Sequence, residues 1–380
     1  MEKTTVLKLQ FLMFIIYASN ACFSPFLPVY FKDRHLTFTQ IAIVFASSAI
    51  IGVIAQPVWG FISDKYLSKR NTVLLNLCTS IFIIYLFIFA KGFPIILTLI
   101  IINNIFMSGI CPIMDAYTFD IIEEVKTTNY ARIRLMASAA YAITNLALGF
   151  IIMGYGINII FIIYETLSLF SIILLFSMKY KGKKNIKLIE LKDIGYIFKN
   201  SKIKILLLTV FLMNAALAGG VNYMNDLIIY TKGNVSMLGI AWFVTCIFEV
   251  ATFFIVSKII KRFEIIRVYT FSLFLYGTKL VLDFLVNNAN LIILLQCIEG
   301  IAFTLFITSS LEYLNANTKA KLRGTSISLY AAFGGLGAFT SSLLGGMLLN
   351  IINPSELFFI FGILCFIASI FSILLKEKNV

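Results

Sequence analysis

Five ionisable residues lie well inside long apolar stretches of the sequence, away from the ends of these stretches. They are Asp115, Glu165, Glu249, Lys279 and Glu299. A charge near the middle of a bilayer costs at least about 2.5–3.5 kcal/mol, so each group must pair with another charge or face a water-filled cavity. Lys279 is the one candidate cation near both Glu249 and Glu299, which leaves one acid over. A carboxyl group without a partner in low dielectric favours its protonated form, so this set predicts a proton-carrying site.

We therefore expect Glu249 or Glu299 to carry a proton, with Lys279 as a partner that switches between them. Glu165 lies elsewhere, in the part of its span that is closer to the extracellular face of the membrane. It is either a second proton-carrying group or a packing partner of Tyr164, and the sequence favours neither.

A second charged pair is predicted between the fourth and fifth apolar stretches. Arg134 opens the fifth stretch and can reach Asp115 across the connecting turn. The pair is either a static salt bridge between two helices or a binding pair for a polar solute. Polar residues also line the first and seventh stretches: Asn20, Ser24, Asn214, Asn222, Tyr223 and Asn225. Each asparagine is alternatively a hydrogen-bonding contact between helices.

The elements that carry these residues are predicted to be membrane-spanning helices. Of the 380 residues, 60% are apolar and 13% are charged, which is too little charge for the surface of a soluble domain. Apolar runs long enough to cross a bilayer recur along the chain. We predict twelve spans, at 7–31, 39–61, 72–90, 94–119, 132–154, 157–178, 203–230, 236–257, 267–286, 290–314, 323–349 and 354–375. The fold class is therefore an all-α polytopic membrane protein.

The basic residues of the chain are placed unevenly. Of 31 Lys and Arg, 26 fall at the two termini or in the even-numbered turns, and four fall on the opposite side. This is the positive-inside bias, and it predicts that both termini are cytoplasmic. The net charge of +13 is thus explained by membrane orientation, and nucleic acid is not an expected partner.

The chain is predicted to contain two related halves. A lysine-rich linker at 179–202 separates an N-terminal six-helix bundle, 1–178, from a C-terminal one, 203–380. The stretch "ARIRLMASAAYAITNLALGF" that opens span 5 is similar to "KLRGTSISLYAAFGGLGAF", which opens span 11. Both have an arginine within their first three residues and continue through small residues, which let helices approach closely in lipid. Duplicated bundles of this kind surround a shared transport path.

The charged turn between spans 2 and 3, Gly60 to Arg70, reads "GFISDKYLSKR". It resembles the loop 2–3 motif of the major facilitator superfamily, with Leu67 or Ser68 in place of the family's second glycine. The matching residues are Gly60, Asp64, Lys65, Lys69 and Arg70. The resemblance covers the whole chain and implies two six-helix bundles with gating at this turn. We expect Asp64 to dock on the N-terminus of span 11 near Arg323, where the helix dipole is positive.

Spans 4 and 5 resemble the corresponding stretch of proton-coupled oligosaccharide and nucleoside symporters of the lactose permease branch. The resemblance implies substrate binding by Asp115, Arg134 and the aromatic ring of Tyr141. In the second half, Glu249, Lys279 and Glu299 fall near that branch's coupling network. Its proton-carrying glutamate is replaced here by Ala302 and its span-10 lysine by Gln296.

These observations predict a secondary active transporter in the cell membrane, a proton symporter of a small polar solute such as a saccharide or nucleoside. An exporter of amphipathic compounds and an aromatic-acid importer of the same fold remain alternatives. An enzyme is not expected, since every loop but the lysine-rich one is short, and no ATP-binding G-x-x-x-x-G-K-[ST] motif occurs. The expected partners are solute, protons and lipid, without cofactor or metal, and the expected functional unit is a monomer.

Overall fold

A computed structural model describes residues 2–125, 130–180, 200–318 and 322–375. All regular structure in these ranges is helical. The chain folds as two compact units, Met1–Gln40 with Ile50–Lys187 and Ile41–Ala49 with Leu188–Val380. The predicted linker at 179–202 lies largely outside the described residues, and the predicted bundle boundaries stay a prediction.

Twelve of the described helical segments are long and apolar enough to cross a membrane, which confirms the predicted fold class. Span 1 consists of Glu2–Phe23, the 3₁₀ turn Ser24–Phe26 and Leu27–Asp33. The remaining spans are, in order, Phe38–Lys65, Lys69–Phe87, Phe93–Val125, Tyr130–Tyr155, Ile159–Ser177, Ser201–Tyr230, Val235–Phe263, Ile265–Leu285, Ala289–Ala316, Arg323–Leu348 and Pro354–Ser372.

Short connections with side-chain caps fix the ends of several spans. The Thr37 hydroxyl accepts a hydrogen bond from the Gln40 amide, and the Gln40 side chain accepts one from the Thr37 amide, which forms a capping box before span 2. Ser68 caps span 3 in the charged turn. A single residue, Glu264, joins spans 8 and 9 with a left-handed φ of 67°. These junctions set the register of the polar residues on the adjoining helices.

Four packing pairs within the first unit recur within the second with an offset of six spans. In the first unit, span 1 packs on spans 5 and 6, and span 3 packs on spans 4 and 6. In the second unit, span 7 packs on spans 11 and 12, and span 9 packs on spans 10 and 12. The recurrence supports the duplicated bundles inferred from the sequence similarity between spans 5 and 11.

Pro25 and Pro28 near the outer end of span 1 predict a break in that helix, and the Ala-Gly-Gly sequence at 218–220 predicts a loosened span 7. The structure agrees with the first prediction and differs from the second. Span 1 is interrupted by the 3₁₀ turn that contains Pro25, as expected from its prolines. Span 7 is one continuous helix through Ala218, Gly219 and Gly220, so the expected loosening is not seen. The reason is packing: a Cβ on Gly219 would collide with the ring of Phe361 from span 12.

Small residues on span 11 bring its backbone against span 7, as the sequence predicts. A Cβ on Gly337 would collide with the Phe211 carbonyl oxygen and lie 3.0 Å from the Ala215 amide nitrogen. Both of these groups belong to the span 7 backbone and cannot rotate away. The close contact therefore requires glycine at this position.

We predict that Gly337→Ala lowers the free energy of unfolding by about 1–3 kcal/mol, because the added methyl overpacks the contact between spans 7 and 11. Gly52→Ala is the matched control, since a Cβ on Gly52 meets no atom within 4 Å. The measurement is the melting temperature of each purified variant in detergent. A drop of equal size in both variants would contradict the assigned role of Gly337.

Candidate substrate and proton sites

The first site is a cluster of three side chains within the first unit, Tyr17, Asp115 and Arg134, which we call the Asp115 cluster. The Tyr17 hydroxyl lies 3.3 Å from each carboxylate oxygen of Asp115 and donates a hydrogen bond to it. The Arg134 guanidinium carbon lies 4.4 Å from the centroid of the Tyr17 ring, which is a cation–π contact. The structure thus brings the predicted pair of Asp115 and Arg134 onto one tyrosine.

Three spans position this cluster. Tyr17 lies on span 1, Asp115 follows Pro112 on span 4, and Arg134 lies in the second turn of span 5. Tyr17 is 9% exposed, so its contacts with both charged groups lie inside the unit. Sequence reasoning missed Tyr17, although it lies three residues before Asn20 and therefore on the same face of span 1.

Two other predicted binding residues lie on the same helix faces as the members of this cluster. Tyr141 lies two turns beyond Arg134 on span 5, and Asn20 lies one turn beyond Tyr17 on span 1; both are half-buried. Tyr117 is fully buried instead, and its hydroxyl donates to the Tyr180 carbonyl at 2.7 Å. The tyrosine that can present a ring to a solute here is therefore Tyr141.

The second site is a buried ion-pair cluster in the second unit, formed by Lys279, Asp283 and Glu299, which we call the Lys279 cluster. The Lys279 ammonium donates to Glu299 Oε2 at 2.6 Å and lies 2.9 Å from Asp283 Oδ2. The exposed fractions of the three side chains are 0%, 0% and 5% for Lys279, Asp283 and Glu299. One ammonium thus pairs with two carboxylates, so the cluster has a net charge of −1 when both acids are ionised.

Asp283 is the member of this cluster that sequence reasoning missed. The second acid on Lys279 was expected to be Glu249, and the structure places Asp283 there. The spacing of four residues between Lys279 and Asp283 on span 9 is the signal that could have revealed it. The two acids are held differently, because Glu299 Oε2 accepts a hydrogen bond from the lysine at 2.6 Å, whereas Asp283 is joined to the same ammonium by an ion pair at 2.9 Å.

Glu249 lies on span 8, half-buried, next to the helix that carries Glu299. A Cβ on Gly300 would collide with the Thr245 carbonyl oxygen and lie 2.8 Å from the Glu249 amide nitrogen. The Thr304 hydroxyl donates to the Glu249 carbonyl at 3.3 Å. This backbone approach holds the span 8 acid beside the Lys279 cluster.

Two further predicted residues occupy separate places. Glu165 is half-buried on span 6, and its Oε1 atom has no hydrogen-bond partner among the described residues. Asn222 donates through its side-chain amide to the Ser342 hydroxyl at 2.8 Å, which links spans 7 and 11. That contact is the hydrogen bond between helices considered as the alternative for each asparagine.

The charged turn is tied to the first unit by its basic residues. The Lys69 ammonium lies 2.7 Å from Asp120 on span 4 and 3.9 Å from Asp64. Arg70 donates to the Met178 carbonyl at the end of span 6 at 2.6 Å. Lys65 lies 5.2 Å from the Phe61 ring centroid.

The missing family glycine in the charged turn has no conformational cost. Tyr66 and Ser68 both have negative φ, at −103° and −90°, and Leu67 is not left-handed either. A Cβ on Gly60 would meet no atom within 4 Å.

Arg323 begins span 11, but its side chain is outside the described part of the chain, so the docking of Asp64 near Arg323 stays a prediction.

Twelve spanning helices that hold two charged clusters in their interior define a polytopic secondary transporter of the major facilitator type. Comparison with known families agrees: the MFS_1 like family matches residues 6–360. The chain belongs to this family, and it is a transporter and not an enzyme.

Known proteins resemble the chain over nearly its full length. It is 25% identical over 345 residues to the uncharacterized transporter YwbF of Bacillus subtilis (strain 168), covering 90% of this chain and 86% of that protein. It is 23% identical over 371 residues to the maltose permease of Geobacillus stearothermophilus, covering 97% and 93%. The crystal structure of the nucleoside transporter NupG superposes with a TM-score of 0.86 at 16% identity, covering 98% and 100%.

We predict that Lys279→Met destabilises the protein by about 3–5 kcal/mol, because it leaves two buried carboxyl groups without their cation. Adding Asp283→Asn and Glu299→Gln to this variant should restore most of the loss. Lys258→Met, at an exposed lysine of span 8, serves as control. The readout is the melting temperature in detergent, and a triple variant no more stable than the single one would contradict the charge-pairing argument.

Proposed function

We propose that this transporter imports a small polar solute together with protons, and that the solute is a saccharide. The observation that carries the proposal is the Asp115 cluster, in which a carboxylate, a guanidinium and aromatic rings lie together. Carboxylate oxygens accept hydrogen bonds from sugar hydroxyls, and the guanidinium donates to them. The apolar face of a sugar ring can pack on Tyr141. The maltose permease that resembles the whole chain supports a saccharide.

A nucleoside is the second candidate solute. Its ribose carries the same hydroxyl groups, and its base can stack on an aromatic ring. The superposition with NupG favours this candidate only through the shared fold, whereas the relative with a sugar in its name shares more sequence. We therefore rank the saccharide first.

The Lys279 cluster is our candidate for proton coupling. With both acids ionised it holds a net negative charge in a buried place, and uptake of one proton removes that charge. Asp283 is the better acceptor, since Glu299 is held by the stronger hydrogen bond to Lys279. Glu249 and Glu165 remain candidate proton-carrying groups on spans 8 and 6.

Transport would proceed by alternating access, with both termini in the cytoplasm as the basic residues indicate. Asp64 would dock on the N-terminus of the helix that begins at Arg323 and so close the cytoplasmic side. Gly60, Lys65 and Arg70 of the charged turn would belong to the same gate. The functional unit would be a monomer, since each half supplies one of the two charged clusters.

Uptake by proteoliposomes tests the solute. We expect the purified protein to accumulate radiolabelled maltose under an inward proton gradient, and uridine is the competing nucleoside probe. Asp115→Asn should raise the KM roughly ten- to a hundred-fold, because a hydrogen bond to a charged group is worth about 1.5–3 kcal/mol. Asp33→Asn, at an exposed acid that ends span 1, is the control. Uptake of uridine alone would replace the saccharide with the second candidate, and no effect of Asp115→Asn would remove the Asp115 cluster as its site.

Exchange assays separate proton coupling from solute binding. We expect Asp283→Asn and Glu299→Gln to abolish accumulation against a gradient while solute counterflow continues, since counterflow needs no net proton movement. Glu249→Gln is compared in the same assay, and Glu312→Gln, an exposed glutamate on the span of Glu299, is the control. Full accumulation by both cluster variants would eliminate the Lys279 cluster as the coupling site.

The role of Asp64 is tested by its neutral variant. We expect Asp64→Asn to insert normally, with an unchanged amount in the membrane, and to slow transport by favouring the inward-open state. Glu264→Gln, the exposed acid at the corresponding junction of spans 8 and 9, should transport at the normal rate. If Asp64→Asn also transports normally, the charged turn serves only to orient the chain.

A further inference from the structure

An open groove lies on the surface of the second unit where spans 9 and 12 meet. Its cavity has a volume of about 460 Å³. One wall is a single face of span 9, and the other is the last part of span 12. The lining residues are Ile266, Arg267, Thr270, Phe271, Phe274, Ser369 and Ile373.

The walls of the groove suit a hydrocarbon chain. Phe271, Phe274 and Ile373 are 53%, 52% and 66% exposed, so they present apolar surface to whatever lies outside. The hydroxyl groups at the base are already satisfied, because Thr270 and Ser372 share a hydrogen bond of 2.7 Å and Ser369 donates to the Thr270 carbonyl. Since spans 9 and 12 cross a bilayer, the groove opens onto lipid.

One end of the groove carries a basic residue, Arg267. Arg267, in the first turn of span 9, lines it at the level where span 8 ends, and Phe274 lies two turns deeper. The last turns of span 8 add three exposed basic residues. These are Lys258, Lys261 and Arg262. Because one residue joins the two helices, these groups and Arg267 belong to the same end of the helix pair.

The acid at this end does not cancel the basic charge. Glu264 lies 3.0 Å from Arg267, and their side chains are 51% and 74% exposed. An exposed pair of this kind contributes little energy, and a guanidinium has five donors. Arg267 can therefore still donate to a phosphate oxygen.

We propose that this groove binds an anionic phospholipid, with one acyl chain against Phe271 and Phe274 and the phosphate at Arg267. Basic pockets between spans at a membrane face are a known means of holding anionic headgroups, at about 1 kcal/mol for each basic residue. The apolar walls select a lipid over a free anion, because inorganic phosphate would gain nothing from the phenylalanine rings. The site is separate from both charged clusters and does not depend on the transported solute.

Native mass spectrometry of the full chain in detergent tests the site, with phosphatidylglycerol as the probe and phosphatidylcholine of the same acyl chains as the headgroup control. We expect phosphatidylglycerol to bind more tightly, and Arg267→Gln to weaken it about five-fold, the equivalent of one basic contact. Phe274→Ala should weaken both lipids. The matched controls are Lys91→Gln and Phe254→Ala, at an exposed lysine and an exposed phenylalanine that do not line the groove.

Three results would overturn the proposal. The first is equal binding of the two lipids by the native chain. The second is the same affinity for phosphatidylglycerol in Arg267→Gln as in Lys91→Gln. The third is displacement of phosphatidylglycerol by millimolar inorganic phosphate with no effect of Phe274→Ala, which would make the site an anion site without a lipid groove.

Discussion

The cost of a charge in a low-dielectric interior governs the arrangement of this transporter. Each buried charge needs a partner of opposite sign or a polar neighbour, and the two clusters meet that need differently. In the Asp115 cluster, one tyrosine, Tyr17, contacts both a carboxylate and a guanidinium. In the Lys279 cluster, one ammonium pairs with two carboxylates. This difference is why we propose the first cluster for the solute and the second for the proton.

The sequence was sufficient to predict the fold and several members of each charged cluster. Hydrophobic length identifies all twelve spans, because a helix that crosses lipid has little freedom in composition. It also identifies Asp115, Arg134, Lys279 and Glu299, since charges in apolar stretches are conspicuous.

The partners of those charges were harder to predict. Tyr17 was missed because an aromatic residue in an apolar helix is ordinary, and only the packing of spans 1, 4 and 5 shows that it meets both charges. Asp283 was missed because it lies near the predicted end of its span, where an acid is expected to reach water. The prediction of a loosened helix at the glycines of span 7 was wrong for a related reason. Glycine favours bending of an isolated helix, but in the folded unit Phe361 from span 12 packs against Gly219 and the helix is continuous.

The junction at Glu264 has a mechanical consequence for the second unit. A connection of one residue leaves little freedom of movement between the end of span 8 and the start of span 9. Any tilt of span 8 must turn the start of span 9 with it. Span 8 carries Glu249 and span 9 carries Lys279 and Asp283, so a displacement at one acid is transmitted through the backbone to the other. The groove proposed to bind lipid begins at Ile266, two residues after this junction, so a bound lipid would contact the helix pair where its two helices join.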